Sequence, residues 1–139
     1  MSTFQTIQQV ARATGLSAYT LRYYEQIGLI DSIPRTVSGH RRYRDEDLRW
    51  IEFLLRLRAT GMPVQQMLHY AMLRRAGNNL ESVAERKAML EKHTLALVKQ
   101  LHELQENVAL MQHKVETYAV LECSLSACPT STDIGESHE

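Results

Sequence analysis

Ser17 Ala18 Tyr19 Thr20 Leu21 Arg22 Tyr23 Tyr24 Glu25 Gln26 Ile27 Gly28 carries both ends of a short helix within itself. The Ser17 hydroxyl is placed to satisfy an orphan amide of the first turn, and Gly28 supplies the left-handed residue that stops the run. Just upstream, Thr6 and Gln9 have the spacing of a capping box, Ile7, Val10 and Ala11 recur at helical intervals, and Gly15 closes the segment. Two short helices joined by a tight glycine turn predict a helix-turn-helix.

Downstream the helical period lapses. Pro34 and the Ser38 Gly39 turn separate Leu29 to Ile33 from His40 to Tyr43, which predicts a small hairpin or wing. Asp45 is the expected cap of a third helix with apolar residues Leu48, Ile51, Phe53, Leu54, Leu55 and Leu57. A fourth helix begins near Pro63 and turns Val64, Met67, Leu68, Ala71 and Met72 inward. From Leu80 a seven-residue repeat runs through Val83, Leu90, Leu97, Leu104, Met111 and Tyr118 at one position and Leu101, Val108 and Val115 at another, with Lys87 and Thr94 interrupting the second series. At 1.5 Å per residue such a helix spans roughly 60 Å, and its apolar stripe demands a partner helix, for which a second copy of the chain is the simplest source. The expected fold is mainly α: a winged helix-turn-helix over residues 1–75, a long antiparallel coiled-coil dimerisation helix over 78–121, and a flexible cysteine-containing tail over 122–139.

The 139 residues have zero net charge, but the charge is unevenly placed. Residues 1–75 hold eleven arginines, no lysine and six acids, a net +5, whereas residues 76–139 are at −5. An arginine-only head suits a polyanion, because the planar guanidinium fork pairs bidentately with phosphate or guanine. Met1 to Gln5 forms no basic-then-apolar leader, and no apolar run approaches the ~20 residues of a membrane span. A cytoplasmic protein with no membrane partner is expected. No glycine-rich phosphate loop, acid pair or nucleophile with an evident base points to an enzyme.

The string from Ser17 to Leu29, together with Ser38 Gly39 His40 Arg41 Arg42 Tyr43, Asp47 Leu48 and Gly61 Met62, closely resembles the MerR family of transcriptional regulators. The resemblance implies that Arg22 and Tyr24, with Tyr19 beside them, approach DNA from the second helix, and that Ser17 and Thr20 belong to the same DNA-binding set. It also implies that Arg41 and Tyr43 meet the backbone from the wing, with Arg35, Arg42 and His40 nearby. Helical spacing puts Tyr23 with Thr20 and Ile27 and so assigns it to the core. Members of the family bind pseudo-palindromic promoters as homodimers and distort the spacer between promoter elements for RNA polymerase, activating or repressing in response to an effector.

For the effector, Ala84 to Lys87 and Lys114 to Tyr118 look most like the aldehyde- and thiol-stress branch of that family. Cys123 and Cys128 are the candidate sensing residues, through a disulfide or an aldehyde adduct. The alternative is a metal-responsive regulator, since two thiolates suit Cu(I) or part of a tetrahedral Zn(II) site. Otherwise no cofactor is expected. A reading of another class makes the basic head a docking module for an acidic partner.

Overall fold

The Thr6 hydroxyl accepts from the Gln9 amide at 3.2 Å while the Gln9 side chain accepts from the Thr6 amide at 2.8 Å. This reciprocal box opens α1 (Ile7–Thr14). Ser17 Oγ accepts from the Thr20 amide at 3.0 Å and opens α2 (Ala18–Ile27). Gly15 and Gly28 then take φ values of +79° and +91°, the left-handed conformation a side chain would strain. The remaining helices are α3 (Asp45–Ala59), α4 (Val64–Arg75) and α5 (Leu80–Leu125) in a computed structural model that describes residues 4–126.

The start of α3 departs from the expected cap. Asp45 is already helical, and the cap contact comes from Asp47, whose carboxylate accepts from the Arg44 amide at 2.9 Å and from the Arg44 guanidinium at 3.0 Å. Between α2 and α3 the chain makes a wing without a named strand among the described residues. Its arms are joined by an Arg35–Arg41 bridge, and a second bridge ties Tyr43 to Gln5. Pro34 has no amide to donate and Gly39 turns the chain, so the arms pair only briefly.

Val10, Leu21, Leu29, Ile30, Ile33, Tyr43, Ile51, Leu54, Leu57, Met67 and Ala71 form the buried core, with Trp50 among them. Trp50 stacks on Tyr70 with ring centroids 5.8 Å apart and planes 5° from parallel, and its indole N–H donates to the Leu29 carbonyl at 2.8 Å. Tyr70 therefore takes the inward place expected for Met72, which is exposed along with Val64. The bulk of the indole sets the rotation of α4, and a stripe read from apolar residues alone does not include Tyr70.

The chain divides after Thr94 into two compact units. The first contains the head and the opening turns of α5. Ser82 Oγ donates to the Leu73 carbonyl, Arg86 donates to the Gly77 carbonyl at 3.2 Å and to Asn78 Oδ1 at 2.8 Å, and His93 Nε2 lies 2.8 Å from Thr60 Oγ1. Met89 and Leu90 pack against the core. Sequence reading ended the head at residue 75, whereas these contacts carry it to residue 94 and assign Leu90 to the head. The second unit begins at Leu95, and α5 continues in it to Leu125, so residues 122–125 are helical where an irregular tail was expected.

Burial pushes the Tyr43 and Tyr70 phenols above their ordinary value of 10.0. The unfolded phenols ionise first, so this contribution to stability is full below pH 10 and is lost as pH rises through the elevated folded values. The buried Tyr43 Oη has no hydrogen-bond partner among the described residues. Tyr43→Phe is therefore expected to leave neutral-pH stability unchanged or higher and to flatten the alkaline decline, because an unpartnered buried hydroxyl costs about 1–3 kcal/mol. Urea titrations at neutral and alkaline pH check this; a large loss at neutral pH contradicts it.

Candidate nucleic-acid interface

Leu21 is fully buried and fixes the phase of α2. Counting 100° per residue from it turns Tyr24, Glu25 and Gly28 toward the head and Tyr19, Arg22, Tyr23 and Gln26 outward. The structure follows that phase: Tyr19 is 74% exposed and Tyr23 48%, while Tyr24 packs against the core. Tyr24 Oη accepts from Arg58 of α3 at 2.9 Å. The two neighbouring tyrosines thus exchange the roles expected for them. Tyr23 is on the outer face and Tyr24 is a core contact, because the choice between adjacent rings depends on the buried anchor Leu21.

Ser17 and Thr20 lie at the entrance to α2, engaged with each other: Ser17 Oγ donates to Thr20 Oγ1 at 2.9 Å. Beyond them a cleft of about 480 Å³ separates helix from wing, lined by Tyr19, Arg22, Tyr23, Glu25, Gln26, Ser32 and Arg41. Arg41 is not a free cation at the wing tip. Its Nε meets Glu25 Oε1 at 2.7 Å, and the two side chains are only 16% and 14% exposed. Arg35 Nη1 donates to the Gly39 carbonyl at 3.3 Å, Arg42 lies 3.8 Å over the Phe4 ring, and His40 is exposed. Tyr43 does not reach the surface; its ring is core and its backbone amide and carbonyl pair with Gln5 at 2.9 and 2.8 Å. Gln26 and Glu25 were missed by sequence reading, although the Leu21 phase would have found the first.

A family model described as MerR family regulatory protein matches residues 6–43, from the α1 cap to the wing's return arm. An uncharacterized HTH-type transcriptional regulator of Haemophilus influenzae is 33% identical over 113 residues, covering 81% of this chain and 82% of that one. The chain belongs to the MerR family of transcriptional regulators. Within that family, the HTH-type transcriptional regulator AdhR of Bacillus subtilis is 43% identical over 84 residues, 60% of this chain and 59% of its own. HiNmlR, a MerR family regulator lacking the sensor domain and solved bound to promoter DNA, aligns with a TM-score of 0.76 and 31% identity over 86% of this chain and 94% of its own.

In this MerR-type regulator the heptad residues beyond the head are solvent-facing: Leu101, Leu104, Val108, Met111, Val115 and Tyr118 are exposed and Leu97 is half-buried. Val83 is also exposed, in contrast to Leu90. Cys123 is half-buried near the end of α5. Cys128 lies outside the described residues. Among the described residues no cluster of three His, Cys, Asp or Glu has metal-binding geometry, and no helix is long and apolar enough to cross a membrane.

Proposed function

We propose that this MerR-type regulator acts in the cytoplasm as a homodimer on a pseudo-palindromic promoter, each protomer placing α2 in the major groove and its wing along the phosphates. The observation that carries this reading is the outward face of α2, where Arg22 stands between the exposed Tyr19 and Tyr23 across the cleft from Arg41. A helix presenting a fork donor beside aromatic rings is suited to base edges, and the wing arginines Arg35 and Arg42 supply positive charge for backbone contacts, while Arg41 is paired with Glu25. Residues 78–121 provide the dimerisation segment, with the seam from Leu97 to Tyr118 packed antiparallel against its copy. Two heads held this way engage both half-sites and distort the spacer between them, which changes how RNA polymerase meets the promoter.

Arg22→Ala tests the placement of α2. Removing a base-reading guanidinium is expected to cost about 1–3 kcal/mol on a duplex enriched from a randomised pool by the unsubstituted protein, and much less on a scrambled duplex. Fluorescence anisotropy on both duplexes reads the difference; an equal loss on the two makes Arg22 a phosphate contact and refutes base reading. A docking module for an acidic protein would enrich no duplex at all.

A further inference from the structure

Glu25 turns toward the head but lines the cleft beside Arg22, an anion next to the face that, in the reading above, meets a polyanion. Its two oxygens are used separately. Oε1 holds Arg41 Nε at 2.7 Å on the wing's return arm, and Oε2 accepts from the Ile33 amide at 3.4 Å where the wing departs. Ile33 is buried, and both members of the ion pair are largely shielded from solvent, so the screening that makes surface pairs weak is reduced here. One carboxylate on α2 therefore grips both arms of the wing. The root of the wing is anchored through the core residues Ile33 and Tyr43 and the Tyr43–Gln5 pairing, whereas Glu25 is the contact that ties both arms to α2 through one side chain.

We propose that Glu25 is a positioning residue for DNA recognition: through Arg41 and the Ile33 amide it sets the angle between α2 and the wing, so that Arg22 and the wing engage one duplex together. The proposal rests on the placement of α2 and the wing against DNA, and it makes a prediction opposite in sign to plain electrostatics. As a mere negative charge, Glu25 opposes binding to every duplex alike, and its removal strengthens all binding. As a brace, it opposes non-specific binding slightly but is required for discrimination, because a wing free to swing still finds phosphates and no longer aligns with the bases read by the helix.

The test uses the full chain with Glu25→Gln, Glu25→Asp and Arg22→Ala, each on the enriched and the scrambled duplex over a series of salt concentrations. Glu25→Gln is expected to bind the scrambled duplex as well as or better than the parent, with a salt slope steeper by up to about one released counterion. Its ratio of specific to non-specific affinity is expected to fall about tenfold, the scale of one misread base pair. Glu25→Asp keeps the charge but shortens the reach, so the ratio is expected to fall at an unchanged salt slope. Hydroxyl-radical footprints are expected to lose protection at the wing-side phosphates while keeping it at the groove contacted by α2.

A ratio unchanged in both Glu25 variants, or affinities for the two duplexes that rise in parallel, overturns the brace. Arg22→Ala separates the two levels of the argument: a lost ratio in Arg22→Ala beside intact ratios in the Glu25 variants refutes only the role of Glu25. An intact ratio in Arg22→Ala refutes base reading by Arg22, the premise on which the brace rests. Thermal melts by circular dichroism identify any variant that fails to fold, and Glu25→Asp, which retains charge and acceptor, keeps the question answerable if Glu25→Gln does.

Discussion

The full chain carrying Leu97→Glu and Leu104→Glu is expected to sediment as a monomer and to bind the enriched duplex no better than the scrambled one. The seam beyond the head is apolar and wet in the single chain: Leu101, Leu104, Val108, Met111, Val115 and Tyr118 are exposed along α5. Each such side chain gains about 1.5–3 kcal/mol on burial, so the seam as a whole is a strong drive to associate. In the proposed antiparallel pairing of the Leu97–Tyr118 seam with its copy, Leu97 falls opposite Tyr118 and Leu104 opposite Met111 of the second copy. Four carboxylates then enter an apolar seam, adding desolvation to the lost burial. A monomer presents one head to a two-headed site, and the affinity that comes from linking two contacts disappears. Sedimentation equilibrium decides the matter: a dimer at the parent's concentration range rules out this seam. The helical circular-dichroism signal is expected to fall with dissociation, because a long helix without packing partners is only marginally stable in water.

Trp50→Ala is expected to destabilise the head by about 3–5 kcal/mol, a large share of the about 5–15 kcal/mol that holds a typical domain folded. Several contacts end at this one side chain, the tilted Phe53 ring 6.2 Å away among them. Its ring stacks on Tyr70, the Arg74 guanidinium lies 4.5 Å over the indole, and its N–H satisfies the Leu29 carbonyl. Arg74 also pairs with Asp31 at 2.9 Å, and Arg75 donates to the Gly28 carbonyl at 2.8 Å, so the last turn of α4 and the indole together hold the exit of α2. Trp50→Phe keeps much of the stack and leaves the Leu29 carbonyl unsatisfied, for an expected loss of about 1–3 kcal/mol. Urea midpoints followed by circular dichroism measure both, since Trp50 is the sole tryptophan and its fluorescence goes with it. Equal losses in the two variants locate the effect in the hydrogen bond, and no loss in either refutes the central place of the indole.

The local signals of the sequence were legible because they act over three or four residues. Thr6 with Gln9, Ser17 with Thr20, and the glycines at 15 and 28 determine helix ends through contacts between near neighbours. The heptad of α5 was equally plain, since its period repeats for many turns. Information that depends on distant partners was not legible. Tyr23 and Tyr24 are adjacent and chemically identical, and only the burial of Leu21 tells which ring faces outward. Arg41 and Glu25 are sixteen residues apart, and their ion pair exists only once the wing folds over α2. Leu90 follows the same repeat as Leu97, yet it packs on a core made by residues far upstream. Asp47 displaced Asp45 at the start of α3 for a similar reason, because its carboxylate meets both the amide and the guanidinium of Arg44.

The packing of the first turns of α5 on the head decides where this chain can be joined to another. Ser82, Arg86, Met89, Leu90 and His93 all contact residues that precede α5 or the core they form. A chimera joined at residue 75 would strip these contacts from the head and replace them with side chains selected against another surface. A junction after Thr94 leaves that surface intact, because the first compact unit ends there. The head that folds as one unit is thus longer than the stretch the family model matches, and a graft that keeps it whole is joined inside the long helix.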